Sequence, residues 1–314
     1  MSRDRETGLS DAVVIQDLHK RFGGVHALRG VDLTVPAGST FGLVGPNGAG
    51  KTTLFSLVAG FLQPSSGTVR TLGREVRGEM LQGRLGVLPQ DARWRKGVPI
   101  GAQMAVCARL QGLSRADAAA EVQRVLDLTG MAEFAGRSPE SLSHGMAKRV
   151  AIAQCLIGDP ELVLLDEPLA GLDPAQARRV RLLIQEESGQ RTFIISSHVM
   201  ADIEALCSQV AIIKQGRIAA QPSMDELTRR EAVAVFTLSA PPPADLAAPF
   251  EALDYVSQVE LRPVERKLQI SVLIDRKNLD EAVGEFIKLL MERQVAFVGV
   301  QKGTSLEDAF LEMT

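Results

Sequence analysis

Aromatic side chains are scarce in this sequence: Phe, Tyr and Trp together make up 4% of it, with a single Trp and a single Tyr. A platform for single-stranded nucleic acid stacks successive bases on repeated aromatics, so that class loses ground. Cysteine is equally sparse. Cys107, Cys155 and Cys207 stand far apart with no C-x-x-C pair, and only four histidines are present. That excludes a disulfide scaffold or a zinc finger in practice and favours reduced, buried thiols in a cytosolic protein. Positive charge is not in excess either; the formal net charge is −3, contrary to a protein whose main work is neutralising phosphate backbones. No apolar run approaches the ~18–20 residues that cross a bilayer. The first residues, Met1-Ser2-Arg3-Asp4-Arg5-Glu6, are polar and mixed in charge, unlike a signal peptide. The chain is expected in the cytoplasm, with no nucleic acid as partner and no direct insertion into a membrane.

What is present is enough for a sizeable core: 45% of 314 residues are hydrophobic, and the length suits about two domains. Charge divides them. Residues 1–222 carry 25 Lys and Arg against 22 Asp and Glu, whereas 223–314 carry 10 against 16, so the second stretch reads as a separate acidic module. Residues 1–10 read as a polar, mobile tail. Short apolar runs at Thr40–Val44, Leu162–Leu165 and Phe193–Ser197 have the character of buried parallel strands. Alternation at Ala12–Asp17, Leu28–Val35 and Thr68–Leu72 indicates half-buried strands, and Val210–Lys214 with Gln215–Ile218 a hairpin. Helical spacing marks Lys51–Gly60, Ala102–Leu110, Arg115–Thr129 and Ser143–Ile157, giving a helical insert across about 98–157. Strands alternating with helices indicate an α/β domain over 11–222. Beyond Pro222 the pattern is strand Ala232–Leu238, a stiff Pro241-Pro242-Pro243 loop, strands Val256–Leu261 and Leu268–Ile274, helix Leu279–Glu292, strand Val295–Val300 and helix Ser305–Glu312. Together these make a small two-layer α+β domain.

The chemistry is concentrated in two places. Gly45-Pro46-Asn47-Gly48-Ala49-Gly50-Lys51-Thr52 fits G-x-x-x-x-G-K-[ST] between a predicted strand and a predicted helix. Its glycines let backbone N–H groups turn toward phosphate oxygens, and the helix start adds a positive dipole. Lys51 would reach the β- and γ-phosphates and the Thr52 hydroxyl a Mg²⁺ ion. The neighbouring Thr53 belongs to the same binding set. The second place is Asp166-Glu167, after the apolar run 162–165, where open α/β sheets place their ligands. Asp166 suits Mg²⁺ and Glu167 a water facing the γ-phosphate.

Between the two stands Leu142-Ser143-His144-Gly145-Met146, which resembles the LSGGQ signature of ABC-type ATPases. Ala170-Gly171-Leu172-Asp173-Pro174 is similar to their D-loop, His198 to the switch histidine, Gln90 to the Q-loop, and Phe22 to the aromatic that stacks on adenine. The resemblance covers roughly 11–222, in the family's order. It implies a P-loop NTPase (RecA-like) core with a β-rich N-terminal subdomain, binding ATP and Mg²⁺. It further implies Lys51 and the loop amides on the phosphates, Thr52, Gln90 and Asp166 on the metal, and Glu167 as general base. His198 would hold the γ-phosphate and orient the attacking water, Ser143 and Gly145 would serve the nucleotide bound by the other subunit of a homodimer, and Asp173 would couple the two sites. Membrane permease subunits would be the further partners, placing the chain at the inner face of the membrane. Arg93-Trp94-Arg95-Lys96 suits that interface. Gly303–Glu312 resembles the closing segment of ATPases serving ABC-2-type and drug-resistance exporters, with 223–314 as a regulatory or dimerisation domain. His144 and Met146 depart from the signature and bear on turnover more than on the nucleotide site. The alternatives are a soluble ABC ATPase acting on a nucleoprotein and a non-hydrolysing nucleotide-binding module.

Overall fold

The computed structural model describes residues 10–76, 81–90, 92–221, 232–239, 246–264, 267–274 and 279–304. The expected tail at 1–9, the proline loop at 241–243 and the helix Ser305–Glu312 lie outside the described residues. The chain divides into two compact units, Met1–Gln221 and Pro222–Thr314.

The first unit holds two sheets. An antiparallel sheet runs in the order β2 (Val25–Pro36), β1 (Asp11–Phe22), β4 (Ser66–Thr71), β5 (Arg74–Glu75). β1 covers the expected Ala12–Asp17, but Ala12 and Val13 are both buried, beside a register irregularity between Asp11 and Val13. Its register then shifts between Ile15 and Leu18, with Asp17 at φ 45, so the strand continues to Phe22 through a bulge that alternation alone does not show. A six-stranded sheet follows the order β10 (Arg217–Ala220), β9 (Gln209–Lys214), β3 (Thr40–Val44), β8 (Thr192–Ser197), β7 (Leu162–Asp166), β6 (Leu85–Leu88). All its pairs are parallel except the edge hairpin of β9 and β10. Every residue of β3, β7 and β8 is buried, which is why these strands read as unbroken apolar runs. The core joins Val13, Ile15 and Val31 of the first sheet to Phe41, Leu164 and Ile194 of the second, with Leu54 and Leu57 of helix α1 (Lys51–Val58) between them.

Helices α2 (Ile100–Leu110), α3 (Arg115–Leu128) and α4 (His144–Cys155) fall inside the expected insert. Helix α5 (Pro174–Glu187) follows β7, and the short α6 (Met200–Glu204) follows β8.

The second unit is one antiparallel sheet in the order β12 (Val256–Val264), β13 (Lys267–Ile274), β11 (Ala232–Leu238), β14 (Phe297–Thr304). With helices Ala248–Glu251 and Leu279–Glu292 in sequence between strands, the connectivity is β-α-β-β-α-β, the split βαβ arrangement. Phe236, Phe250 and Phe286 are fully buried, with ring centroids 5.9 Å apart for Phe236–Phe286 and 5.0 Å for Phe250–Phe286.

Candidate nucleotide site

β3, β8 and β7 are neighbours in one parallel sheet, so the loops leaving their C-terminal ends emerge side by side, the ligand-binding edge of such sheets. Val44 leads into 45–50, Asp166 into Glu167, and Ser197 into His198. Gly50 caps α1 at φ 113, a conformation open to glycine and costly for other residues. The first residue of the helix is Lys51, which is buried. Its Nζ donates to the Gly45 carbonyl at 2.7 Å and the Pro46 carbonyl at 3.3 Å, and stands 3.4 Å from Glu167 Oε1.

The two acids face different partners. Thr52 Oγ1 donates to Asp166 Oδ2 at 2.8 Å, and Ser196 Oγ donates to Asp166 Oδ1. Glu167 takes φ 52, in the left-handed region. Its N–H donates to Ser196 Oγ at 3.0 Å, and Lys148 Nζ donates to its carbonyl at 3.0 Å. Its Oε2 pairs with His198 Nδ1 at 2.8 Å, while Oε1 is buried with no hydrogen bond.

A cavity of about 560 Å³ opens here, lined by Asn47, Gly48, Gly50, Lys51, Thr52 and Thr53 of the loop and α1, by Gln90, Asp166 and Glu167, and by Val25, His26, Ala27, Arg29 and Gln215. The residues fit a magnesium nucleotide. A lysine and a helix start suit phosphate, a hydroxyl, an amide and a carboxylate suit a hard cation, and a buried carboxylate oxygen without a hydrogen bond marks a place for a polar ligand atom.

The expected residues do not all gather there. Asn47, Gly48, Gly50, Lys51, Thr52, Thr53, Gln90, Asp166 and Glu167 line the cavity. Gly45 and Pro46 supply carbonyls to Lys51, Ala49 is buried behind the loop, and His198 joins through Glu167. Phe22 is 46% exposed and outside the lining; Lys20 Nζ lies 5.0 Å from its ring centroid. Ser143 and Asp173 cap helices instead: Ser143 Oγ accepts from Met146 N at 3.3 Å, and Asp173 Oδ1 from Gln176 N at 2.9 Å. Gly145 packs on α5, where a β-carbon would come 2.8 Å from Gln176 Cγ. Sequence reasoning passed over Ser196, Lys148 and the β2 wall. Ser196 carried a signal, a hydroxyl within a wholly buried strand, which needs partners.

A phosphate-binding loop after β3, paired acids after β7 and this sheet order define a P-loop NTPase of the α/β class. Residues 28–170 match the family model described as ABC transporter. The chain is 34% identical over 239 residues to a Nod factor export ATP-binding protein I of Burkholderia lata, covering 74% of this chain and 77% of that one. It is 29% identical to the linearmycin resistance ATP-binding protein LnrL of Bacillus subtilis, covering 95% of this chain and 97% of that one. An uncharacterized ABC transporter ATP-binding protein of Nostoc sp. is 37% identical over 65% of this chain, and the match spans 62% of that relative. Among solved structures, cbiO1 of Clostridium perfringens, part of the ABC transporter complex cbiONQ, superposes with a TM-score of 0.63 at 29% identity, covering 69% of this chain and 90% of that one. The chain belongs to the ABC transporter ATP-binding protein family, and it is an ATPase subunit of that type. Among the described residues no helix is long and apolar enough to cross a membrane.

Proposed function

We propose that this chain energises an exporter of the ABC-2 type by closing as a homodimer on two ATP molecules and hydrolysing them, beneath a membrane permease that carries the substrate. The observation that carries this reading is Glu167, a buried carboxylate whose Oε1 is free of hydrogen bonds, 3.4 Å from Lys51 Nζ and hydrogen-bonded through Oε2 to His198. That suits a general base: one oxygen, held only by its ion pair with Lys51, can take a water proton once the lysine turns to phosphate, and the other is tied to a group that orients it. Lys51 would stabilise the charge of the β- and γ-phosphates, and the N–H groups of Gly48, Gly50, Lys51 and Thr52 would turn toward them, that of Ala49 being bonded to the Pro46 carbonyl. Thr52, Gln90 and Asp166 are the residues that would hold Mg²⁺, which supplies charge neutralisation as the terminal phosphate departs. His198 contacts the γ-phosphate, and Phe22, in register with cavity-lining Val25, stacks on the base from the rim. Ser143, Gly145 and Asp173 lie outside this cavity, in keeping with service to a nucleotide held by the second subunit. The export assignment is supported by the names of the relatives from Burkholderia and Bacillus and by the closing segment Gly303–Glu312.

Glu167→Gln tests the reading. The variant is expected to bind Mg-ATP with wild-type affinity, to lose hydrolysis by at least about a hundredfold, the usual worth of a general base, and to elute as a stable dimer with Mg-ATP on size exclusion. A variant that remains monomeric and hydrolyses at the wild-type rate overturns the assignment.

A further inference from the structure

The bulge in β1 does more than bend a strand. It turns Asp17 and His19 toward β2, where His19 Nε2 lies 3.0 Å from Asp17 Oδ1 and His19 Nδ1 lies 3.2 Å from His26 Nε2. The two imidazoles are close to coplanar, 25° between their planes and 5.4 Å between centroids, as an in-plane hydrogen bond between ring nitrogens requires. Gly30 makes room for the pair: a β-carbon there would come 3.1 Å from Asp17 Oδ1 and 3.4 Å from His19 Nε2. A carboxylate only accepts, so His19 Nε2 donates to Asp17. With His19 in its neutral form, Nδ1 accepts, His26 donates from Nε2, and His26 is left with an acceptor at Nδ1. His26 lines the nucleotide cavity. With Asp166 and Glu167 at the terminal-phosphate end, the wall of Val25, His26 and Ala27 is left for the nucleoside.

We propose that His26 is a nucleotide-contacting residue of this chain, held by His19 and Asp17 in the tautomer that accepts a hydrogen bond from the nucleoside end of ATP, a ribose hydroxyl or the base amine. This rests on the nucleotide-site reading above. His26 sets the preference for a nucleoside triphosphate over bare phosphate, and His19 is its positioning residue. The groups facing His26 are Arg21 and His19 on β1, Arg29 on β2 and Arg217 on β10. Burial first, and then Arg21, His19, Arg29 and Arg217, hold it below the ordinary histidine value of 6.5. Near neutral pH the acceptor form therefore prevails, and protonation on acidification removes the acceptor.

The test is calorimetry on the full chain with Mg-ATP, Mg-2′-deoxy-ATP and inorganic triphosphate. His26→Ala is expected to weaken ATP about five- to tenfold, the worth of one hydrogen bond, and to leave triphosphate unchanged, which also shows that the variant is folded. In wild type the ratio of ATP to triphosphate affinity is expected to fall as the pH drops below 6.5, and in His26→Ala to stay flat. His19→Phe keeps a ring in place of the imidazole but removes its hydrogen bond to His26, frees the tautomer and lowers the ratio partway. A wild-type loss with 2′-deoxy-ATP that His26→Ala does not show assigns the contact to the ribose, and equal losses in both proteins assign it to the base. ATP affinity unchanged in His26→Ala, or ATP and triphosphate weakened equally, overturns the proposal. Wild-type protein that binds neither ligand overturns the nucleotide-site reading instead.

Discussion

Asp166 and Glu167 are adjacent acids of the same charge, and one backbone angle separates their roles. Asp166 ends β7 in extended conformation, with both oxygens engaged by hydroxyls. Glu167, at φ 52, turns its carboxylate toward Lys51 and His198. A non-glycine residue there costs on the order of 1 kcal/mol, and the bond its N–H donates to Ser196 Oγ and the one its carbonyl accepts from Lys148 Nζ offset the cost. The departures from the signature are expected to leave the local structure intact at the same scale. His144 is exposed and projects over the loop before α5, where a β-carbon on Gly171 would lie 3.2 Å from its Nε2. The Ser143 cap on Met146 N depends on backbone, so Met146 in place of a glutamine leaves it intact. The double change His144→Gly, Met146→Gln is therefore expected to alter ATP turnover by less than about tenfold, roughly 1.4 kcal/mol in barrier. A parent protein without steady-state turnover that gains it on His144→Gly would mark His144 as inhibitory.

At the scale of elements, one junction ties α3 to the end of α4 and the turn that leads into β7. Glu121 on α3 accepts from Gly158 N at 2.7 Å and from Arg124, whose Nη2 also reaches the Leu156 carbonyl at 3.1 Å just past α4. Burial pushes the Glu121 carboxyl up, but the hydrogen bonds from Arg124 and Gly158 and the Arg124 charge outweigh it, leaving the group below its ordinary 4.5. A carboxyl depressed in the fold contributes stability above its unfolded value, and that contribution disappears as pH falls through the folded value. Glu121→Gln is thus expected to melt lower than wild type at pH 7, with the gap closing below about pH 4; calorimetric melts across that range check it, and a gap that does not change with pH removes the ionic contribution. Elements of this kind were legible to unequal degrees. β3, β7 and β8 could be read because burial on both faces leaves unbroken apolar runs, and the nucleotide loop because its glycines and lysine sit between strand and helix. β6 is short and diluted by Gly86, which offers no run to read. β14 begins two residues after the expected Val295, because Val295 N closes the preceding helix on the Leu290 carbonyl at 2.8 Å, past Gln294 at φ 57. The His26 wall of the site was hidden because it depends on the bulged register of β1 against β2, a long-range pairing that local alternation does not encode.

Over the whole molecule, chemistry and charge are divided between the units. Each residue lining the nucleotide cavity belongs to the first, while the acidic second unit closes its own core around Phe236, Phe250 and Phe286. Ending the chain at Gln221 cuts neither core, so the first unit is expected to keep its fold and its ATP affinity within about twofold, under 0.5 kcal/mol. The second unit is then left with a role outside nucleotide binding, and we assign it to association of the two copies or to coupling with the permease. A split βαβ sheet ends in two edge strands, β12 and β14, and an edge strand is a ready means of association about a two-fold axis. Sedimentation of the Glu167→Gln protein with Mg-ATP, with and without residues 222–314, measures the contribution: the shortened chain is expected to dimerise at least tenfold more weakly or, failing that, to dimerise normally and lose export in cells. Lost ATP binding in a shortened chain that still melts cooperatively would join the two units into one functional body, and normal dimerisation with normal export would leave the second unit without the role assigned to it.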